Sequence, residues 1–130
     1  MTLEELQEQL RDWSARKMGW NDCSICNLPG CQWWVRFFTN DAFPDGAYEH
    51  VIHKTKWLPD RPESGQIWMV LKVIAKEIFS VRYKFTKNLE GIIADKLPDL
   101  PDGAWVTGLW NLFYMEPIDI LKAYKATEET

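Results

Sequence analysis

All three cysteines and both histidines of this chain lie in a single stretch within its first half. Cys23 and Cys26 are separated by two residues, a spacing that lets a tight turn present both thiolates to one metal ion. Cys31 follows five residues later, which is close enough to reach the same ion. Three thiolates leave one position of a tetrahedral site open, and His50 and His53 compete for it. The sequence therefore predicts a zinc site made of three cysteines and one histidine.

A predicted hairpin decides between the two histidines. Segments 33–38 and 48–54 are rich in aromatic and β-branched residues and flank a polar, glycine-containing loop, which predicts two antiparallel strands. The end of the second strand then lies beside the start of the first, which places His53 near Cys31. His50 remains the alternative, roughly 10 Å further along at about 3.4 Å per residue. The predicted ligands of a structural Zn²⁺ are Cys23, Cys26, Cys31 and His53.

Other chemistry is open to the same cysteines. They can be three thiols on a turn with no metal bound. A Cys-x-x-Cys redox pair is disfavoured because no predicted strand precedes the motif, as it does in thioredoxin-like folds. A set of disulfides is disfavoured because the cysteine count is odd and no secretory signal is visible.

Composition limits the class of protein. At 130 residues we expect a single domain over 1–130, with residues 21–57 as a Cys/His insertion and residues 60–127 forming a core of their own. No apolar run approaches the length that spans a bilayer, and the acidic, amphipathic N-terminus is unlike a signal peptide. We therefore expect a cytoplasmic protein. A net charge of −4 argues against a protein that binds nucleic acid mainly by contacts with the phosphate groups.

The remaining patterns predict an α+β fold, a small helix/antiparallel-sheet/helix sandwich with a zinc-stabilised insertion that carries the β-hairpin. Helices are indicated by capping signals and a spacing of three to four between apolar residues, and strands by strict alternation. The predicted helices cover about 3–18, 62–78 with Asp60 as its cap, 88–96, and a last helix from Pro117. The predicted strands cover 79–86 and 105–114, with a loop between 97 and 103.

The first strand of the hairpin is apolar on both faces, apart from Arg36. A two-stranded hairpin cannot bury two faces by itself, so this one packs on the main body or presents aromatic side chains to a partner. Phe43, next to Pro44 in the loop, is the aromatic residue for which the sequence most favours an exposed position.

Catalytic motifs are missing from the sequence. A zincin needs His-Glu-x-x-His on a helix, whereas Glu49 precedes His50 in a predicted strand. The patterns of zinc deaminases, phosphate-binding loops and serine nucleophile elbows are also absent. A zinc ion with four protein ligands has no open position and is structural, so the expected protein is not an enzyme. A nucleic-acid-binding protein remains the alternative, since Trp33, Trp34 and Phe37 could stack on bases, but Arg36 is the sole lysine or arginine from Cys23 to His53.

Two short segments resemble a known family. The sequence Ala15-Arg16-Lys17-Met18-Gly19-Trp20 at the end of the first predicted helix, and Ile67-Trp68-Met69-Val70 in the second, are similar to the phage ABA-sandwich domain. Size, acidity and the zinc insertion also resemble some type II anti-CRISPR proteins, which inhibit RNA-guided Cas nucleases. The first resemblance implies a phage origin, and the second implies a binding protein.

Together these resemblances imply a phage-encoded, non-enzymatic inhibitor that acts in the host bacterial cytoplasm. It would bind a host defence protein, a type II Cas nuclease, and block the engagement of target DNA. The runner-up is a phage zinc-containing nucleic-acid-binding or regulatory protein. The acidic residues expected at the contact are Glu4, Glu5, Glu8 and Asp12, or Asp95, Asp99 and Asp102. The expected aromatic anchors are Trp33, Trp34 or Phe43.

Overall fold

A computed structural model describes residues 1–24, 26, 30–96 and 115–129. Over these residues the chain forms four α-helices and a three-stranded antiparallel sheet, which confirms the predicted α+β class. None of the helices in the described ranges is both long and apolar enough to cross a membrane. The elements are α1 (Leu3–Lys17), β1 (Asn21–Asp22), β2 (Trp33–Phe38), β3 (Ala47–His53), α2 (Ile67–Ala75), α3 (Phe79–Lys96) and α4 (Pro117–Glu129).

Helix α1 begins and ends as its sequence predicts. The Thr2 hydroxyl accepts a hydrogen bond from the Glu5 backbone N–H at 3.1 Å, and the Glu5 carboxylate accepts one from the Thr2 N–H at 3.2 Å. This reciprocal pair is a capping box, which satisfies two N–H groups that the first turn leaves without helical partners. The helix ends before Gly19, whose φ of 88° turns the chain toward the sheet.

The predicted hairpin is also present. Strands β2 and β3 pair antiparallel from Trp33 opposite His53 to Phe38 opposite Ala47, and β1 adds to the other edge of β2. The ladder contains one irregularity. Trp34 pairs with Ile52 but Val35 pairs with His50, so Val51 is an extra residue in β3. Such a bulge shifts every following side chain of the bulged strand to the other face.

The predicted strand over 79–86 is wrong, because these residues begin the long helix α3. Phe79 and Tyr83 from the alternating pattern are exposed, while Phe85, Leu89 and Ile93, spaced by four, are buried against α4. Packing of that stripe outweighs the local alternation, as tertiary contacts often outweigh strand propensity. The short helix predicted over 88–96 is the second half of α3.

The helix predicted over 62–78 is shorter than expected. Residues Pro62–Ser64 form a single 3₁₀ turn, Gly65 adopts a left-handed φ of 68°, and α2 covers only Ile67–Ala75. Asp60 is not a cap. It is buried, and both of its carboxylate oxygens accept hydrogen bonds from Arg11 of α1, at 2.7 and 2.9 Å.

Two predicted elements lie outside the described residues, namely the strand over 105–114 and the loop over 97–103. The last helix begins at Pro117 as predicted. Its buried side chains include Leu121 and Tyr124, both fully buried.

The core of the described residues contains side chains from both sides of residue 60. Trp34 of β2, together with Trp20 and Trp57, belongs to the same buried cluster as the apolar residues of the helices. The indole N–H of Trp57 donates to the Arg11 carbonyl and to the Ser14 hydroxyl, both at 3.1 Å. In the described residues, large side chains from the sheet end therefore share one core with the helices.

Candidate metal centre

Three thiols and one imidazole converge at the root of the hairpin, which is the end farther from its loop. The ligand atoms of Cys23, Cys26, Cys31 and His50 all lie within 4.8 Å of one another. Nε2 of His50 is 3.4 Å from Sγ of Cys23 and 3.7 Å from Sγ of Cys31. No disulfide joins the three cysteines, all of which lie in the described part of the chain. These four side chains are therefore close enough together to bind a metal ion.

The two sulfur–nitrogen distances match a tetrahedral centre. Zinc holds thiolate sulfur at about 2.3 Å and imidazole nitrogen at about 2.0–2.1 Å, so a tetrahedral angle places the two ligand atoms about 3.6 Å apart. The two sulfur–nitrogen distances here, 3.4 and 3.7 Å, lie on either side of that value. The donor set of three sulfurs and one nitrogen also suits zinc and other metals that prefer soft ligands, and it does not suit Mg²⁺ or Ca²⁺.

Cys23 is positioned by strand β1 and by ion pairs. Asp22, the residue before it, pairs with Trp34 in the sheet. Its carboxylate accepts hydrogen bonds from Lys54 and, at 2.8 Å, from Arg16. The bond from Lys54 and then the bond from Arg16 lower the pKa of Asp22 below its usual range, since both favour the charged carboxylate. The start of the Cys23–Cys31 segment is thus attached to α1 and to the residue after β3.

Cys31 is positioned from the hairpin side. The Gln32 carbonyl accepts a hydrogen bond from the Lys54 N–H at 2.7 Å, which continues the β2–β3 ladder one step past Trp33 and His53. The Gln32 side chain also donates to the Gly30 carbonyl at 3.1 Å. Gly30 has a φ of 69°, a conformation that glycine adopts without steric cost.

His50, and not His53, joins the three thiols. The predicted pairing of Trp33 with His53 is correct, but the extra residue Val51 changes the geometry between the two histidines. Residues three apart on a regular strand point to opposite faces, and the bulge brings His50 and His53 to the same face. The Trp33 ring contacts both imidazoles edge-on, with centroids 5.7 and 5.5 Å apart. The inferred position of His53 beside the cysteines is therefore wrong in the structure.

His53 has a different structural role. Its Nδ1 accepts a hydrogen bond from the Thr55 N–H at 3.2 Å and lies 2.8 Å from the Thr55 hydroxyl. This contact caps the short 3₁₀ helix Lys54–Lys56. No glycine or proline lies beside Val51, so the bulge has no signal in the sequence.

The grouping of three thiols favours binding of a cation. Partial burial raises the pKa of the Cys31 thiol, and the side chains of Cys23 and Cys26 beside it raise the pKa further, while a backbone hydrogen bond with Trp33 opposes the rise. Three adjacent thiolates repel one another, and a coordinated metal ion removes that penalty by binding all of them in the deprotonated form.

The expected contact residues fall in different environments. Trp34 is only 2% exposed, under the side chains of Arg16 and Lys54, so it is a core residue and not an anchor for a partner. Trp33 and Phe43 are exposed. The α1 acids are exposed, with Asp12 paired to Arg16, and Asp95 is exposed at the end of α3. Asp99 and Asp102 lie outside the described residues.

Comparison of the chain with protein-family models, with curated proteins and with solved structures gives no match.

Proposed function

We propose that Cys23, Cys26, Cys31 and His50 bind one Zn²⁺ and that this ion has a structural role. The observation that carries the proposal is the convergence of four ligand atoms within 4.8 Å of one another, with two sulfur–nitrogen distances, 3.4 and 3.7 Å, that are typical of a tetrahedral site. Four protein ligands fill a tetrahedral zinc, which leaves no position for a substrate or a reactive water. The ion would fasten β1 and the segment up to Cys31 to the root of the hairpin.

Zinc binding is tested by measuring the metal content of protein purified without a metal-affinity tag. Elemental analysis should find about one equivalent of zinc per chain. A Cys26→Ser variant should bind much less zinc, because it replaces a thiolate with a hydroxyl that zinc binds poorly. Less than half an equivalent in the wild type, or full zinc in the variant, would contradict the proposal.

We infer that the protein acts by binding another protein and not by catalysis. Support comes from the closed nature of the proposed site and from the aromatic side chains that the hairpin leaves exposed. Phe37, Phe43 and Tyr48 lie within twelve residues of one another in the sequence, and each exposes about half of its surface: 51%, 50% and 49% respectively. Aromatic residues are enriched at the energetic centres of protein interfaces.

As the partner we propose a type II Cas nuclease of the bacterial host, inhibited by a phage-encoded protein. The support is the resemblance in size, acidity and Cys/His content described above, together with a net charge of −4. Cas nucleases hold nucleic acid in a positively charged channel, and an acidic protein docked at that channel would block the engagement of target DNA. Exposed acids on α1, such as Glu4 and Glu8, add to the favourable charge.

A cleavage assay tests the partner. The protein is titrated into a type II nuclease loaded with guide RNA before the target DNA is added, and again after it. We expect strong inhibition when the protein is added before the DNA. We expect weak inhibition when it is added afterwards, because the DNA would already occupy the channel. No inhibition and no co-elution with several type II nucleases would remove this partner. The nucleic-acid-binding or regulatory protein would then become the leading candidate, and binding of single-stranded RNA or DNA would be measured directly.

A further inference from the structure

The distal half of the hairpin extends beyond the core. At the root, Trp34 is buried and Val51 and Ile52 pack against the core cluster. From residue 36 to residue 49, all of which the structure describes, no hydrophobic side chain belongs to that cluster or packs against it. We call residues 36–49 the hairpin tip. It contributes little to the core, so its apolar side chains need another explanation.

The aromatic residues of the hairpin tip form two ring–ring contacts with one another. Phe37 and Tyr48 are cross-strand partners whose rings meet edge-on at 5.2 Å. Phe43, in the loop, meets Phe38 edge-on at 5.9 Å. Exposed aromatic side chains concentrated in this way mark an interaction site more often than isolated ones do.

The loop that presents Phe43 is held in shape by its own hydrogen bonds. The Phe43 N–H donates to the Asn40 side-chain oxygen at 2.9 Å, and the Phe43 carbonyl accepts from the Gly46 N–H at 3.0 Å. The Phe37 ring lies directly on Gly46, which has a φ of 94°. A side chain presented from an ordered loop loses little conformational entropy on binding, which favours affinity.

The charges of the tip select the class of partner. Asp41 and Asp45 flank Phe43 in the loop, and neither forms an ion pair with any described residue. Arg36, the sole cation of the tip, is paired with Glu49. The tip therefore presents aromatic rings beside unpaired negative charge. A phosphate backbone would be repelled by these carboxylates, and so would the same tip of a second copy.

We propose that the hairpin tip docks Phe43 into an apolar pocket on a partner protein whose rim carries lysine or arginine side chains. Asp41 and Asp45 then pair with the basic rim, which speeds association and fixes the orientation. Phe37 and Tyr48 extend the apolar contact. The proposal rests on the inferred function as a protein-binding protein, but it does not require that the partner be a Cas nuclease.

Site-specific photocrosslinking tests the surface. Benzoylphenylalanine replaces Phe43 in one full-length variant and the exposed Trp68 of α2 in a control variant, and both are irradiated in a nuclease-treated bacterial lysate that contains a type II CRISPR system. A parallel sample without nuclease treatment reports any adduct with nucleic acid. We expect one protein adduct that is specific to position 43. That protein is then purified, and its affinity for the wild type and for variants is measured.

Matched substitutions give the decisive comparison. Phe43→Ala should weaken the affinity by about 30-fold or more, as expected for a central aromatic anchor. Asp41→Lys/Asp45→Lys should slow association by about tenfold and reduce its salt dependence. The control Glu63→Lys/Glu129→Lys makes the same charge change at exposed sites outside the tip and away from the acids of α1, and it should leave the affinity within about threefold of the wild type.

Each contrary result has a distinct meaning. No adduct specific to position 43, an adduct with nucleic acid or a second copy, or an unchanged affinity for Phe43→Ala would overturn the docking proposal. If a type II nuclease binds the wild type and Phe43→Ala equally, the proposed function stands and the tip is not the contact. If the position-43 adduct is a different protein and the tip variants lose it, the tip proposal stands and the Cas nuclease is the wrong partner.

Discussion

The helical half of the molecule and the sheet are stabilised in different ways. Helices α1, α3 and α4 meet through side chains such as Ile93, Leu121 and Tyr124, which are fully buried. Within the residues that the structure describes, the sheet has three strands, one of them two residues long, and it contributes a few side chains to the core. Its root is attached to α1 by the ion pair of Asp22 with Arg16, and the proposed zinc ion would add a crosslink there. Apolar burial is extensive between the helices, whereas a small sheet of this kind gains more from a crosslink.

The largest effect is expected where the two regions share one side chain. Trp57 is fully buried, contacts Trp20 edge-on at 4.8 Å, and donates its N–H to α1. Trp57→Ala should lower the free energy of unfolding by about 5 kcal/mol, the upper end for a buried tryptophan, because a cavity and lost hydrogen bonds add together. Chemical denaturation measures the loss. Trp68→Ala, a substitution of the same size at an exposed site, should change stability by less than about 1 kcal/mol.

Removal of zinc should affect the two regions unequally. If free zinc exceeds the dissociation constant a thousandfold, its removal lowers the free energy of unfolding by about 4 kcal/mol. Hydrogen exchange on chelated protein should show amide protection lost in β1, β2 and β3 and retained around Leu89 and Ile93 in α3. Equal loss of protection in both regions would mean that the helices depend on the metal through Trp34 and Trp57.

A smaller effect is expected at the hairpin tip. A Cβ added to Gly46 would lie 2.0 Å from the nearest atom of the Phe37 ring, and its φ of 94° is unfavourable for any other residue. Gly46→Ala should cost about 1–2 kcal/mol through backbone strain and displacement of the ring. Gly19→Ala provides a control with a similar φ of 88° and nothing within 4 Å, so the difference between the two variants isolates the ring contact.

The smallest effect concerns the exposed ion pairs of Asp22. The folded pKa of Asp22 lies below its ordinary value of 3.8, so its contribution is present at neutral pH and is lost as the pH falls below about 4. Asp22 is about half exposed, so Asp22→Asn should cost less than about 1 kcal/mol at pH 7. The difference between wild type and variant should shrink toward pH 3. A difference that persists there would assign the effect to something other than charge.

The sequence predicted local features well and long-range ones less well. The capping box at Thr2 and Glu5, the hairpin, and the start of α4 at Pro117 each depend on neighbouring residues, and each is present. The alternation from Phe79 to Phe85 was misleading because the partner of that stripe, α4, lies far away in the sequence. The α+β class was correct, although the strands that form the described sheet are those of the predicted insertion.

The candidate site was predicted in part for the same reason. The spacing of the three cysteines in the sequence predicts that they share a site, and the structure brings all three together. The prediction of the histidine ligand depended on the register of two strands. The single extra residue Val51 changes that register, so His50 and not the predicted His53 lies beside the cysteines. No side chain in the sequence marks that bulge, so only the three-dimensional pairing reveals it.

The central claim is that one zinc ion is held by three cysteines and His50. The most direct test is the affinity for zinc of three purified proteins, measured by competition with a chromophoric chelator: the wild type, His50→Ala and His53→Ala. The account predicts that His50→Ala weakens zinc binding by about 100-fold or more, since a ligand is lost, while His53→Ala stays within about threefold of the wild type. A large loss in His53→Ala with full affinity in His50→Ala would contradict it.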